Sequence, residues 1–226
     1  MRQSWHNLTF FHRAFAPELI QPLLPPGLQV QSYQGKAYIG FVPFWMENVR
    51  LNHLPPLPNH RYIPETNVRT YVTTPDGTPG VWFCSLDCTD QIAITTARNL
   101  FGLNYLKASL TIQLQADKTI YSGTRASNSN AAYKAEVHHP GTPEPAKLGS
   151  FEFWLAERYL LFSMLRGKLI VGQVHHAPYQ LIKPTFASCH ESMITSTTGL
   201  PHSTHWDSIL YSPGVNVEVF QPKSVH

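Results

Sequence analysis

Charged and polar side chains alternate along one predicted strand, YIPETNVRTYV at 62–72. Tyr, Ile, Val and Thr are typical of strands, whereas a glutamate and an arginine within one are unusual. Because side chains of a strand alternate between faces, one face carries Ile63, Glu65, Asn67, Arg69 and Tyr71. A carboxylate can act as a general base, and a guanidinium offers a planar fork that binds carboxylates. This face is therefore the first candidate for chemistry.

Two interpretations of this face are open from the residues alone. In the first, Glu65, Asn67 and Arg69 face water while the opposite face packs on the core. In the second, the sheet curves into a barrel and the three side chains line its interior. Burial of either charge is costly unless it is paired or wetted by a cavity, and such burial is typical of ligand sites.

Other common catalytic motifs are absent from the sequence. The histidine pairs at 138–139 and 175–176 fall in predicted strands, where neighbours point to opposite faces, so neither pair can chelate one ion. There is no HExxH, no CxxC, no G-x-S-x-G elbow and no glycine-rich phosphate loop. A metal site built from distant histidines stays open, but we expect no metal and no cofactor.

The composition indicates a β-rich globular protein. The 226 residues can bury a real core, and 19 prolines and 13 glycines with only 14% charged residues favour many turns over a helical bundle. The net charge of +3 is scattered along the chain, which argues against nucleic acid as a partner.

The compartment is also suggested by the sequence. No apolar run approaches the roughly 18 residues that a membrane helix needs, and the segment at 1–15 lacks the apolar core of a secretory signal. We interpret Cys84 and Cys88 as reduced core thiols of a cytoplasmic protein. We therefore expect no membrane partner.

The predicted elements form one α+β domain over 1–226, mostly antiparallel β with two or three short helices. The most distinct is a hairpin in which DGTPG at 76–80 joins 62–72 to 81–88. A helix should follow, capped by Asp87 or Thr89 and terminated by Gly102. The remaining predicted strands are 35–46, 105–115, 118–127, 131–139 and 168–182. We also predict a short helix in 15–30, an extended proline-rich connection at 51–64 and a loop at 141–150. The segment 150–165 begins as a helical turn, and periodicity does not decide whether it continues as a strand; the last forty residues are loop apart from a strand at 215–220.

Several stretches together resemble a known family. They are LLPPGLQV (23–30), GKAYIGFVPFWM (35–46), ETNVRTYV (65–72), GVWFCSLD (80–87), ARNLFGLNYLKASL (97–110) and LAERYLLF (155–162). The chain resembles the YqjF-like bacterial family, domain of unknown function 2071, of the acetoacetate decarboxylase-like superfamily. The resemblance implies a cone-shaped, largely antiparallel β-barrel or sheet with a few short helices around a small-molecule cavity. It favours the inward-facing interpretation of the polar face and, by superfamily analogy, homo-oligomers.

The resemblance also reveals a missing nucleophile. Decarboxylases of this superfamily carry two adjacent lysines after the helix, one of which forms a Schiff base with a β-keto acid. The alignment places Tyr105 and Leu106 there, so we do not expect acetoacetate decarboxylation by the family mechanism. Lys107 would share the face of Tyr105 in an extended strand. It is either a displaced amine nucleophile or a solvated or paired lysine.

The candidate site residues follow from both arguments. The catalytic candidates are Glu65, Tyr105 and Lys107, and the ligand-binding candidates are Asn67, Arg69, Tyr71, Arg98 and His175. Arg98 either stays on the helix surface or turns toward Glu65, and either His175 or Tyr179 could donate a proton. The opposite charges of Glu157 and Arg158 favour a structural pair.

Three functions stay open. The first is a barrel that binds a small carboxylate or carbonyl compound, with Arg69 as the anion clamp. The second is an enzyme that performs enolisation, hydration or lyase chemistry on such a compound, with Glu65 as the base. The third is a structural or interaction barrel without a ligand. The environment of Glu65 separates the first two, because pairing with Arg69 would lower its pKa and desolvation away from Arg69 would raise it.

Overall fold

The computed structural model describes residues 1–50 and 62–225, so most of the predicted connection at 51–64 lies outside the described residues. The strands are β1 Arg2–Phe15, β2 Gln29–Val30, β3 Ala37–Arg50, β4 Ile63–Thr73, β5 Pro79–Cys88, β6 Tyr105–Leu114, β7 Lys118–Arg125, β8 Asn128–His138, β9 Glu144–Pro145, β10 Leu160–Leu165, β11 Lys168–His176, β12 Gln180–Leu181, β13 Phe186–Glu191, β14 Ser208–Val219 and β15 Lys223–Ser224. The helices are α1 Pro17–Ile20, α2 Gln91–Phe101, α3 Phe151–Ala156 and α4 Met193–Thr198, with a 3-10 turn at Gln21–Leu23.

Thirteen strands join one large sheet, and β9 and β12 pair separately. The order runs β13-β8-β7-β6-β5-β10-β11-β14-β1-β3-β4-β2, and β15 adds to β11. Because β4 also pairs with β5, the part of the sheet from β5 round to β4 turns back on itself. All pairs are antiparallel except β5 with β6 and β5 with β10. The predicted α+β class with mostly antiparallel strands is therefore confirmed.

Strand β4 lies between β3 and β5 and is buried on both faces from Ile63 to Val72. The polar face is therefore not solvated, and the first interpretation of it is wrong. The β4–β5 hairpin is antiparallel, as predicted, with one irregularity between Val68 and Arg69, where Cys84 of β5 is left without an opposite residue. A bulge of this kind bends a strand and re-aims its side chains.

Helix α2 begins and ends close to the predicted positions. Its N-cap is Asp90, whose carboxylate accepts a hydrogen bond from the Ala93 N–H, so the predicted caps Asp87 and Thr89 are wrong. Asp87 instead lies buried within β5. The helix ends at Gly102, which has φ +59 and lies so close to the Met164 carbonyl that no side chain would fit.

The two ends of the chain contain more sheet than the sequence predicts. Strand β1 was not predicted, and the last forty residues contain β13, α4, β14 and β15 rather than one strand. Asn7, with φ +52, lies in the irregular stretch of β1, and Gly214 of β14, which pairs with His6, has φ +145. Irregular backbone of this kind obscures the alternation that marks a strand. The segment at 150–165 is a helix followed by a strand, and the loop at 141–150 contains β9.

Candidate functional site

The polar row of β4 is fully enclosed. Glu65, Asn67, Arg69 and Tyr71 are 3%, 5%, 8% and 0% exposed. The two charged members do not bond to each other: Glu65 accepts a hydrogen bond from Tyr105, and Arg69 donates to the Leu155 carbonyl. The row therefore has two chemically different ends, an acidic end at Glu65 and a basic end at Arg69.

At the acidic end, the Tyr105 hydroxyl of β6 donates to Glu65 Oε2 at 2.6 Å. Both side chains lie in an apolar cluster with Phe44, Leu86 and Cys88. Burial raises the pKa of Glu65 to about 7 against the opposing hydrogen bonds from Tyr105 and Asn67. Burial also raises the pKa of Tyr105 well above its usual value, so this phenol stays protonated.

Two candidates near this end lie outside the enclosed row. Arg98 is on the exposed side of α2, where its Nε donates to the backbone carbonyl of Tyr105 at 2.8 Å. It therefore holds the start of β6 and does not turn toward Glu65. Lys107 is exposed, and its ammonium group donates to the Thr89 carbonyl. The structure brings Tyr105 to Glu65 and leaves Lys107 at the surface.

At the basic end, Arg69 and Tyr71 share one acceptor. Arg69 Nη2 and the Tyr71 hydroxyl donate to the Leu155 carbonyl at 3.2 and 2.7 Å, and His12 Nε2 of β1 lies 2.6 Å from the same hydroxyl. A side chain on Gly40 would lie 3.3 Å from both Arg69 and His12. This glycine of β3 therefore leaves room for the stem of the Arg69 side chain and for the His12 imidazole. Burial and the charge of Arg69 hold the pKa of His12 well below its usual value.

Arg158 adds a second guanidinium to the basic end, and the sequence pattern does not predict this position. The guanidinium carbon of Arg158 lies 4.7 Å from the Trp154 ring centre and 5.2 Å from that of Tyr71. Burial and, to a smaller degree, Arg69 lower its pKa to about 10. The expected pair with Glu157 does not form, because Glu157 accepts from the Tyr159 hydroxyl and the Tyr179 N–H instead.

The strand β11 contributes the neighbour of the predicted histidine. His175 is exposed, whereas His176 is 4% exposed and packs at a tilt against Tyr179, with ring centres 4.6 Å apart. Tyr179 in turn contacts Phe10, whose ring lies 5.3 Å from the Arg69 guanidinium. The prediction of His175 in the site is therefore wrong by one residue, which on a strand means the opposite face.

Several polar atoms of this enclosed cluster lack hydrogen-bond partners within the described ranges. They are Asn67 Oδ1, Arg69 Nε, Arg158 Nε, Arg158 Nη2, His12 Nδ1 and His176 Nε2. Within the same ranges, no carboxylate lies within ion-pair distance of Arg69 or Arg158. Buried polar groups are normally satisfied, so this concentration marks a place that a ligand or water completes.

Other features of the described residues lie elsewhere or point to no site. Two open cavities, of about 610 and 1250 Å³, lie along β6, β7, β8 and β13 and beside α2 and the chain termini, and the polar row lines neither. Residues 1–50 and 62–225 contain no group of three or more metal-binding side chains. Nor do they contain a helix with the length and apolar character that crossing a membrane requires.

Solved structures show the same fold. An acetoacetate decarboxylase from Legionella pneumophila superposes with a TM-score of 0.71 at 14% identity, over 100% of this chain and 88% of the other. The enduracididine biosynthesis enzyme MppR, complexed with the condensation product of pyruvate and imidazole 4-carboxaldehyde, gives a TM-score of 0.72 at 10% identity, over 99% and 88%. These matches confirm the predicted acetoacetate decarboxylase-like cone-shaped fold.

Sequence comparison shows the family. The uncharacterized protein YqjF of Bacillus subtilis (strain 168) is 34% identical over 200 residues, which are 88% of this chain and 82% of that protein. A family model, described as an uncharacterized conserved protein, matches residues 2–216. The chain therefore belongs to the family of domain of unknown function 2071, the YqjF-like family, within the acetoacetate decarboxylase-like fold.

Proposed function

We propose that the enclosed row binds a small organic acid, whose carboxylate is held by Arg69 and Arg158. The observation that carries this proposal is the pair of largely buried guanidinium groups for which residues 1–50 and 62–225 provide no carboxylate partner. An unpaired buried charge costs several kcal/mol, so the site is complete only with an anion. A structural barrel without a ligand would not need two such groups side by side.

The structurally similar enzymes and the replaced lysines support a narrower class of ligand and reaction. MppR has been solved with pyruvate, which contains a ketone carbonyl and a carboxylate, and with a condensation product of pyruvate. This supports a small carboxylate or carbonyl compound as the ligand here. By the family resemblance, Tyr105 and Leu106 take the positions of the decarboxylase lysines, and Lys107 is exposed, so the proposal involves no Schiff base.

Binding is tested by titration calorimetry and thermal shift with pyruvate, acetoacetate, butyrate and uncharged butanone. We expect the acids, and not butanone, to bind and to raise the melting temperature, because a ligand that binds only the native state stabilises it. Arg69→Met and Arg158→Met should each lose this response. Arg2→Met is the matched control, since Arg2 is exposed and pairs with Glu218. Unchanged acid binding in both site variants would disprove the proposal.

A second candidate function, acid–base catalysis, is favoured by the environment of Glu65. Its pKa of about 7 suits proton transfer near neutral pH. Glu65 and Arg69 are four residues apart on β4, about 13 Å along the strand, so the arginine does not hold the carboxylate ionised. A ligand anchored at Arg69 could therefore present an acidic C–H group to Glu65. The carboxylate would take that proton, leaving an enolate.

Exchange of carbonyl-adjacent protons for deuterium, followed by NMR in D₂O, tests this candidate on pyruvate and longer 2-oxo acids. We expect Glu65→Gln to abolish enzyme-dependent exchange. Tyr105→Phe removes a hydrogen bond that lowers the pKa of Glu65, so its pH–rate midpoint should move upward. Lys107→Gln should exchange like the parent protein. Exchange that persists in Glu65→Gln would refute this role of Glu65.

We also propose that the protein is located in the cytoplasm. Cys84, Cys88 and Cys189 are free thiols, and all three are largely buried. Free thiols are typical of reducing compartments. Fractionation of the native host, with the protein detected by antibody, tests this expectation.

A further inference from the structure

We infer that the ligand of this site is a hydroxylated monocarboxylic acid. The inference rests on the proposed function and deepens it by naming the ligand class. It follows from sorting the unpartnered atoms of the cluster into donors and acceptors. Three are donors, which need a carboxylate, and three are acceptors, which need hydroxyl groups.

The donors are guanidinium N–H groups. Arg69 Nε, Arg158 Nε and Arg158 Nη2 are buried and have no acceptor within the described residues. A guanidinium can only donate, so each of these groups requires an oxygen with free lone pairs. The two oxygens of one carboxylate have about four lone-pair sites and can serve all three N–H groups.

The first acceptor is on His12. The Tyr71 hydroxyl gives its only proton to the Leu155 carbonyl, so in the contact with His12 the imidazole Nε2 must be the donor. The lowered pKa of His12 makes the ring neutral. Its other nitrogen, Nδ1, therefore carries no proton, and it is buried without a partner. It can only accept a hydrogen bond from an O–H or N–H group.

The same reasoning applies to His176. Its Nδ1 lies 2.8 Å from the Ala177 carbonyl, which can only accept, so Nδ1 carries the proton. Burial lowers the pKa of His176, and the unpartnered Nε2 of the neutral ring is again an acceptor. Asn67 supplies the third acceptor: its side chain hydrogen-bonds to Glu65 through the amide nitrogen, and its Oδ1 has no partner.

These atoms belong to one contiguous cluster. His12 contacts Tyr71, over which Arg158 lies, and Asn67 is the next residue on the face of β4 that carries Arg69. His176 joins through Tyr179 and Phe10, against which the Arg69 guanidinium packs. One ligand at the basic end can therefore offer a carboxylate to the arginines and hydroxyl groups to the acceptors.

The charge of the cluster selects hydroxyl groups over ammonium groups. Arg69 and Arg158 contribute two positive charges, Glu157 contributes one negative charge, and both histidines are neutral. Glu65, which hydrogen-bonds to Asn67, is protonated below its raised pKa of about 7 and adds no charge there. One carboxylate therefore balances the excess of one positive charge. An ammonium group would add a third cation beside the two guanidinium groups, whereas a neutral hydroxyl satisfies the same acceptors without repulsion.

Matched pairs of acids test the inference by titration calorimetry: 3-hydroxybutyrate against butyrate, and gluconate against hexanoate. We expect each hydroxyl that meets an acceptor to strengthen binding about three- to tenfold, the usual value of one neutral hydrogen bond. The preference should be smaller in Asn67→Leu and in His176→Phe. His175→Phe, which changes the exposed neighbour, should keep the full preference.

The outcomes are distinguishable. Equal binding of the hydroxylated and plain acids would overturn this inference and leave the proposed function standing, with water satisfying the acceptors. Failure of every acid to bind would overturn both. The preference is a ratio measured within one protein, so a site variant that is less stable still reports on it. A preference that Asn67→Leu and His176→Phe leave intact would also contradict the inference.

Discussion

Two regions of the molecule bury a pair of arginines, and they treat the guanidinium groups in opposite ways. Where the strands of 105–138 pack with β13 and α4, each arginine has its own carboxylate. Arg125 binds Asp87 through two hydrogen bonds of 2.8 Å, and Arg13 binds Glu191 at 3.0 Å. At the basic end of the polar row, Arg69 and Arg158 have ring, carbonyl and hydroxyl contacts, and no carboxylate of the described residues pairs with them.

The difference indicates what each region is for. A buried ion pair with every lone pair satisfied holds elements together, and Arg125 also binds Ser85 and Thr197, which ties α4 to β5. A guanidinium without a counter-ion does not hold elements together in this way, and this is the reason for the proposal that Arg69 and Arg158 bind an anion. The buried carboxylates differ in the same way. Asp87 forms an ion pair with Arg125, whereas Glu65 accepts hydrogen bonds from the neutral side chains of Tyr105 and Asn67.

The largest predicted effect is at the paired site. Arg125→Met leaves Asp87 buried without its cation, and we expect a loss of about 3–5 kcal/mol in the free energy of unfolding. Urea denaturation measures it. The double variant Arg125→Met/Asp87→Leu should recover most of the loss, because no unpaired charge remains. A loss below about 1 kcal/mol in the single variant would remove the contrast between the two regions.

The next effect is a pH dependence at Glu65. The native pKa is raised from 4.5 to about 7, so the native state binds a proton that the unfolded state has released. Stability from this group is therefore present below about pH 4.5 and falls as pH rises to about 7, by roughly 3 kcal/mol. Glu65→Gln should not show this loss, so its free energy of unfolding should increase relative to that of the parent protein between about pH 4.5 and 7. Urea denaturation at pH 4.5, 6 and 8 measures it; a pH-independent difference would contradict it.

A smaller effect is expected at the unpaired site. Arg158→Met removes a buried charge without leaving another unpaired, and it loses contacts with Trp154 and Tyr71 worth about 0.5–2 kcal/mol. The two changes oppose each other, so the free energy of unfolding should either rise, or fall no more than about 1 kcal/mol below that of the parent protein. Denaturation without added acid checks this. A loss like that of Arg125→Met would mean that Arg158 has a structural role.

The smallest effect is expected at Lys107, which is exposed and bonded to a backbone carbonyl. Lys107→Gln should change neither stability nor acid binding. Borohydride added with pyruvate should give no mass increase that depends on Lys107, as read by mass spectrometry of the intact protein. A Lys107-dependent adduct would show that this amine is a nucleophile and would contradict the proposal that Glu65, without a Schiff base, performs the chemistry.

The sequence predicts the polar row well because alternation along a strand is a strict geometric rule. Glu65, Asn67, Arg69 and Tyr71 share a buried face, as their spacing suggests, and Tyr105, a candidate through the family resemblance, reaches the first of them. The rest of the site depends on tertiary packing. Arg158 follows a six-residue helix, where neither strand nor helix periodicity tells which way a side chain points, and its neighbour Glu157 suggested a local pair.

The missed strands have a similar explanation. Sequence patterns detect a strand when alternation is regular, and β1 and β14 break theirs at Asn7 and Gly214. The prediction of His175 rests on the family resemblance of its segment, and alternation cannot correct it, because alternation gives two faces but not which one is buried. Only the neighbouring strands of the folded sheet decide that.

The position of β4 between two partners has a consequence for amide hydrogen exchange. Its amides from Ile63 to Val72 are enclosed on both faces, so they should exchange only through global opening of the fold. The short segment 151–160, which supplies the Leu155 carbonyl and Arg158, can open locally. An acid that binds should therefore slow amide exchange first in 151–160. Exchange in β4, which carries most of the site, should slow only as far as the acid raises the overall stability of the fold.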